Sequence, residues 1–73
     1  MSNPIKAIVD DTDKCDICHG PLKSGLTFSD AAVPAAGGSW AWLCQTCAKT
    51  NGVRYGTGLG QQYDSKTNIK VKG

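Results

Sequence analysis

A chain of 73 residues with five aromatic side chains and 40% hydrophobic residues forms one domain at most and cannot fill a large core. Chains this short usually fold around disulfides or a metal, and four cysteines are present to supply either. One His, no Glu and six scattered Asp leave no acid–base pair to assemble, and no stretch is apolar enough to cross a membrane, so neither an enzyme nor a membrane protein is expected.

Residues 1–14 read as an N-terminal strand or tail. Ile5, Ala7 and Val9 alternate with Lys6, Ile8 and Asp10, a period of two that predicts a short strand. Asp10-Asp11-Thr12-Asp13 then breaks it as a solvated turn; a calcium loop would need a Gly and a Glu in set places. Residues 15–63 form the predicted domain. Cys15-Asp16-Ile17-Cys18-His19-Gly20 is a knuckle in which Gly20 is expected to take the positive φ that curls the backbone around a metal. Residues 26–33 and 39–43 have strand character, and the intervening Pro34-Ala-Ala-Gly-Gly38 predicts a β-hairpin. Trp40 and Trp42 fall on one face of its second strand, with Ala41 and Leu43 on the other, so one pair is expected to meet solvent or a partner. A short helix from Cys44 ends at Asn51-Gly52 and carries Cys47 in its first turn. Tyr55 to Tyr63 reads as a glycine-punctuated loop packed on this unit. Residues 64–73 form a basic C-terminal strand or tail, with Asn68-Ile-Lys-Val-Lys72 alternating apolar and cationic residues.

The two Cys-x-x-Cys pairs are the chemistry of the chain. Each tight loop puts two sulfurs on one side, suiting two corners of a tetrahedron, and together they complete a four-thiolate shell. Cys15, Cys18, Cys44 and Cys47 are therefore expected to hold one Zn²⁺. Zinc is preferred to disulfides or an iron centre because the first ten residues lack the long apolar run of a signal peptide, which points to a reducing cytoplasm. The fold class expected is a small metal-stapled α+β unit, a treble-clef zinc finger of knuckle, hairpin and short helix. A zinc ribbon, with a second hairpin in place of the helix, is the alternative. Four committed thiolates leave no open position for zinc catalysis.

Other motifs fail on context. Cys15-x-x-Cys18-His19 matches a haem attachment site, but that requires export and leaves Cys44 and Cys47 unexplained. His19 is instead read as a surface residue beside the site or an occasional substitute ligand. No βαβ pattern surrounds either Cys pair to suggest a thioredoxin-like site. Gly56-Thr-Gly-Leu-Gly60 resembles a phosphate loop, yet position 61 is Gln and no Gly-Lys-Ser/Thr follows.

The joint pattern of the Cys pairs, Phe28-x-Asp30, Gly38-x-Trp40-Ala41-x-Leu43-Cys44-x-x-Cys47, Gly52 and Gly56-x-Gly58-x-Gly60-Gln61-x-Tyr63 resembles a group of very short zinc-finger proteins encoded by bacteriophages. The likeness spans residues 15–63. It implies zinc ligands at the four cysteines and a small protein of the host cytoplasm, and it carries no activity with it. The Ala-Ala-Val-Pro-Ala-Ala run before Gly37 departs from the tighter hairpin of that group.

Two kinds of partner follow. Four thiolates and one Zn²⁺ add −4 and +2 to the formal +2, leaving the loaded protein near zero. This favours a protein partner docked on the aromatic hairpin, with Trp40 or Trp42 as anchor and Phe28 or Tyr63 nearby. The alternative is nucleic acid. Residues 49–73 carry Lys49, Arg54, Lys66, Lys70 and Lys72 against Asp64, with Tyr55 or Tyr63 available to stack on bases. No small-molecule substrate is expected.

Overall fold

A computed structural model describes residues 6–73. Its frame is a four-stranded antiparallel sheet in the order β2-β1-β3-β4, built from β1 (Thr27–Val33), β2 (Ser39–Cys44), β3 (Gly60–Asp64) and β4 (Lys70–Lys72). One helix, α1 (Gln45–Thr50), follows β2 directly. The expected α+β class and hairpin are both present. Pro34–Ala36 makes a single 3₁₀ turn between β1 and β2, and Gly37 and Gly38 take φ of 68° and 85° to reverse the chain. Such angles are open to glycine at little cost. The hairpin register pairs Phe28 with Cys44, Asp30 with Trp42 and Ala32 with Trp40.

The helix ends where its sequence predicts. Asn51 donates its backbone N–H (2.9 Å) and its side-chain Nδ2 (2.8 Å) to the Cys47 carbonyl, and Gly52 follows at φ 62°. The left-handed glycine after the last helical residue stops the spiral while satisfying an otherwise orphaned carbonyl.

The stretch read as a loop from Tyr55 to Tyr63 is different. Only its first part is a loop, closed by Gly56 N–H to Gly60 O at 2.9 Å. Gly60–Asp64 is a strand, and it lies between β1 and β4. Its Gly-Gln-Gln-Tyr-Asp sequence has almost no apolar alternation; it becomes a strand because β1 offers a full ladder from Thr27 to Ala31. Gly60 is required there by contact rather than by φ. A Cβ would lie 2.6 Å from both the Ala31 Cβ and the Arg54 carbonyl oxygen.

The predicted N-terminal strand is reduced to one bridge, Lys6 to Ile69, and Ile5 lies outside the described residues. The predicted alternation survives: Ala7 is buried, Val9 half-buried and Ile8 fully exposed. Asn68 holds this arm. Its Nδ2 donates to the carbonyls of Ala7 (3.3 Å) and Val9 (2.7 Å), and its own carbonyl accepts the Ala7 N–H at 2.9 Å. Asn68 does so at φ 62°, a left-handed position that Asn tolerates better than most residues.

Two small cores sit on opposite faces of the sheet. One gathers Val33, Leu43, Ala48 and three cysteines beneath α1. The other gathers Ala7, Leu22, Phe28 and Tyr63, with Trp42 packed against it. Phe28 stacks on Tyr63 at 5.4 Å between ring centroids, and Trp42 leans on both at 5.9 and 6.1 Å. The tryptophan pair therefore divides along the strand rather than by face: Trp42 is half-buried and Trp40 is 47% exposed.

Gly60→Ala is expected to lower stability by about 1–3 kcal/mol, the usual cost of overpacking, in a urea titration of the folded protein. Gly58 has φ 78° and open space around its Cα. Gly58→Ala should lower stability by only about 1 kcal/mol, through backbone strain alone. Equal losses would mean that the Gly60 contact with β1 is not as described.

Candidate metal centre

The four cysteines come together as their spacing predicts. Their sulfurs all lie within 4.8 Å of one another, and none is in a disulfide. The contact between Cys18 Sγ and Cys44 Sγ is 3.8 Å. That length is far beyond an S–S bond of about 2.05 Å. It matches the roughly 3.8 Å edge of a tetrahedron whose sulfurs sit about 2.3 Å from a central ion. The donor set and its spacing thus fit a metal ion.

Local structure delivers each pair. Residues 13–22 form a narrow hairpin-like turn, with Leu22 N–H to Asp13 O at 3.0 Å and a bridge between Lys14 and Pro21. At its tip Cys15 N–H donates to Gly20 O (2.8 Å) and His19 N–H to Cys15 O (2.9 Å). The left-handed residue of this knuckle is His19, at φ 61°, and not Gly20. Gly20 has neither a positive φ nor a steric need for glycine, since a Cβ there would make only an ordinary 3.5 Å contact with the Cys18 sulfur. His19 is exposed, as expected. The second pair straddles a strand–helix junction. Cys44 ends β2 and caps α1 in extended conformation, and Cys47 lies in the first turn of α1.

Asp16 joins the two halves. Its backbone N–H donates to Trp42 O at 2.8 Å, and its Oδ2 accepts the Trp42 N–H at 2.8 Å. The knuckle is thereby clipped to the edge of β2, two residues before Cys44. Sequence reading missed this residue. The only signal was the habit of Asp of accepting backbone N–H groups, and its partner lies 26 positions away. Leu26 and Gln45 make a second clip: Gln45 Oε1 accepts the Leu26 N–H at 2.9 Å.

Electrostatics distinguish the sulfurs. Burial works to raise the Cys15 thiol, but the N–H groups of Cys18, Cys44 and Ile17 outweigh it and bring it down to about 6. For Cys47, burial and then the neighbouring sulfurs of Cys15, Cys44 and Cys18 act together and push the thiol up to about 12. The Cys44 thiol is also raised, chiefly by burial. The cluster welcomes one negative charge and resists the next, which is the condition a bound cation relieves. Cys18 is the one exposed member; the other three are buried.

The other predicted residues are dispersed. Lys66 lies in the turn between β3 and β4, and Lys70 and Lys72 lie on the outer strand β4. Lys49 lines a shallow groove with Val53, Tyr55 and Gln62, and the Lys72 ammonium sits 5.7 Å from the Tyr55 ring centre. Tyr63 is not free to stack on bases, whereas Tyr55 is half-exposed. Tyr63 is buried against Phe28, and the Tyr55 hydroxyl is bonded to Ser29 at 2.8 Å beneath Lys72.

Comparison of the chain with protein-family models, curated proteins and solved structures returns no match.

A thiol held at about 12 must surrender its proton when it becomes a metal ligand near neutral pH. Titrating Zn²⁺ into stripped protein in weak buffer at about pH 7 should therefore release at least one proton per ion. By the same sign, acidification favours the thiols over the ion. Metal loss, followed with a chromogenic chelator, should grow as pH falls from about 8 to about 5. Uptake without proton release would rule out four thiolate ligands.

Proposed function

We propose that this protein is a non-enzymatic zinc module, a treble-clef-like finger in which one Zn²⁺ on Cys15, Cys18, Cys44 and Cys47 supplies the stability that two small cores do not. The observation that carries this reading is the four-sulfur cluster with its 3.8 Å contact. The order of knuckle, β1–β2 hairpin and α1 supports this reading over a zinc ribbon, since a helix directly follows Cys44. Zinc is the natural ion for four thiolates in a reducing cytoplasm. The likeness to short phage-encoded fingers agrees with that setting. Structural zinc in finger peptides contributes on the order of 10–16 kcal/mol of apparent binding free energy, most of it realised as folding.

The stapled unit acts by binding another protein through the exposed end of its hairpin, where Trp40 stands half out of the surface. Tryptophan is the residue most often found as the anchor of such contacts. Nucleic acid is the second reading, favoured by Lys49 in the groove that Tyr55 lines and by Lys72 over the Tyr55 ring.

Native mass spectrometry with circular dichroism tests the metal. One zinc per chain, and loss of structure on chelation, is the expected result; Cys47→Ser should weaken retention of the ion. A mass four hydrogens short and a fold indifferent to chelator would mean two disulfides instead. For the second reading, affinity for an oligonucleotide should fall steeply with added salt and fall further in Lys49→Gln/Lys72→Gln. An absence of salt-sensitive binding to any DNA or RNA removes it.

A further inference from the structure

The face of the sheet that carries Trp40 and Trp42 also carries an unpartnered acid. Asp30 stands directly opposite Trp42 on β2 and opposite Gln61 on β3, with Ala32, opposite Trp40, as the next same-face residue along β1. Asp30 is half-buried, yet its carboxylate makes no hydrogen bond or ion pair with any described residue. The sole ion pair among those residues joins Lys23 to Asp11. Burial, and then the charge of Asp16, push the Asp30 carboxyl up from its ordinary value. No cation among the described residues offsets either effect.

The edge of β2 is clipped by Asp16 at this point and open two residues earlier. The Trp42 N–H and C=O both point away from β1 and are taken by Asp16. Trp40, two residues earlier, points its backbone groups the same way by the alternation of an antiparallel ladder. The Ala32 N–H opposite it turns to Leu59 O on the other side, at 3.0 Å. Among the described residues nothing takes the Trp40 N–H or C=O, which lie beside a 47% exposed indole. Filled with zinc, the cluster just beyond Trp42 adds a net −2, from four thiolates and one divalent ion.

We propose that this edge and face receive an extended segment bearing Lys or Arg, whose backbone pairs with β2 at Trp40 and whose cation meets Asp30 against the indoles of Trp40 and Trp42. The inference rests on the zinc-module reading for its fold and names the chemistry of the protein partner. Strand addition uses free main-chain groups at a sheet edge. A cation over tryptophan is attracted by the ring face, more strongly when water is excluded. A carboxylate two places along the same face supplies the countercharge that a hydrophobic partner would leave stranded.

The test titrates zinc-loaded protein with a short acetylated peptide of alternating Arg and Thr, read by the fluorescence of the two tryptophans and by calorimetry. The control peptide carries Gln for Arg. Circular dichroism and native mass spectrometry verify that Asp30→Asn and Trp40→Ala remain folded and loaded. The Arg peptide should bind, the Gln peptide should bind roughly tenfold more weakly, and each substitution should weaken the Arg peptide by roughly tenfold. No binding, equal affinity for both peptides, or an Asp30→Asn protein that binds unchanged overturns the proposal. So does concentration-dependent self-association abolished by Lys70→Gln/Lys72→Gln, which would assign the edge to the cationic β4 of a second copy. Displacement of the peptide by a short oligonucleotide that binds independently of Asp30 would assign it to nucleic acid. Failure of the metal reading is separable: a chelated protein that stays folded and still binds the Arg peptide refutes zinc while leaving this surface standing.

Discussion

Four sulfurs within 4.8 Å of one another cannot all be ionised without a cation among them, and the fold is arranged around that demand. Three backbone N–H groups converge on Cys15, while Cys47 is buried among its fellow thiols. The two extremes are complementary. One sulfur is prepared to carry charge in the free protein, and another gives up its proton only to a metal. The knuckle, the end of β2 and the start of α1 owe their positions to this cluster and to the Asp16–Trp42 clip that registers one Cys pair on the other.

The remaining structure divides unevenly between the two faces of the sheet. Beneath α1 the packing is aliphatic and runs into the sulfurs, so an ion held by them would brace this core directly. On the opposite face three aromatic rings lean together under Leu22 and the arm held by Asn68. Aromatic pairs of this kind contribute about 0.5–1.5 kcal/mol beyond the area they bury. That second core adjoins the cysteines only through the Phe28–Cys44 pairing and the Asp16–Trp42 clip; it fixes β3 against β1 and leaves Trp40 beyond its reach.

What was legible in the sequence was whatever is fixed by local chemistry. Cys-x-x-Cys spacing announced the cluster, Pro34 to Gly38 the hairpin turn, and Asn51-Gly52 the helix end. What escaped was fixed by distant contact. Gly60-Gln-Gln-Tyr-Asp64 carries no strand pattern of its own, and β1 made it one. Tyr63 looked available to bases until its pairing with Phe28 placed it in the core. The knuckle's positive φ fell to His19 although Gly20 stood next to it, because hydrogen bonds from both ends of the turn set the angle. The choice between Trp40 and Trp42 depended on where the N-terminal arm and Leu22 happen to lie, and a strand read in isolation does not say.

The β1–β2 hairpin also changes the order in which this chain can assemble. In the open chain a metal holding Cys15 and Cys18 must wait for Cys44, 26 positions beyond Cys18, to close a long loop. Once the hairpin register has paired Phe28 with Cys44, that cysteine is effectively only ten positions away along the path through Phe28. Shortening the loop by this factor spares roughly 0.8 kcal/mol of closure entropy. A turn of prolines, alanines and glycines far from any ligand therefore lowers the entropic barrier to metal capture. Lengthening or loosening that turn would slow assembly of the site without altering a single atom that touches the ion.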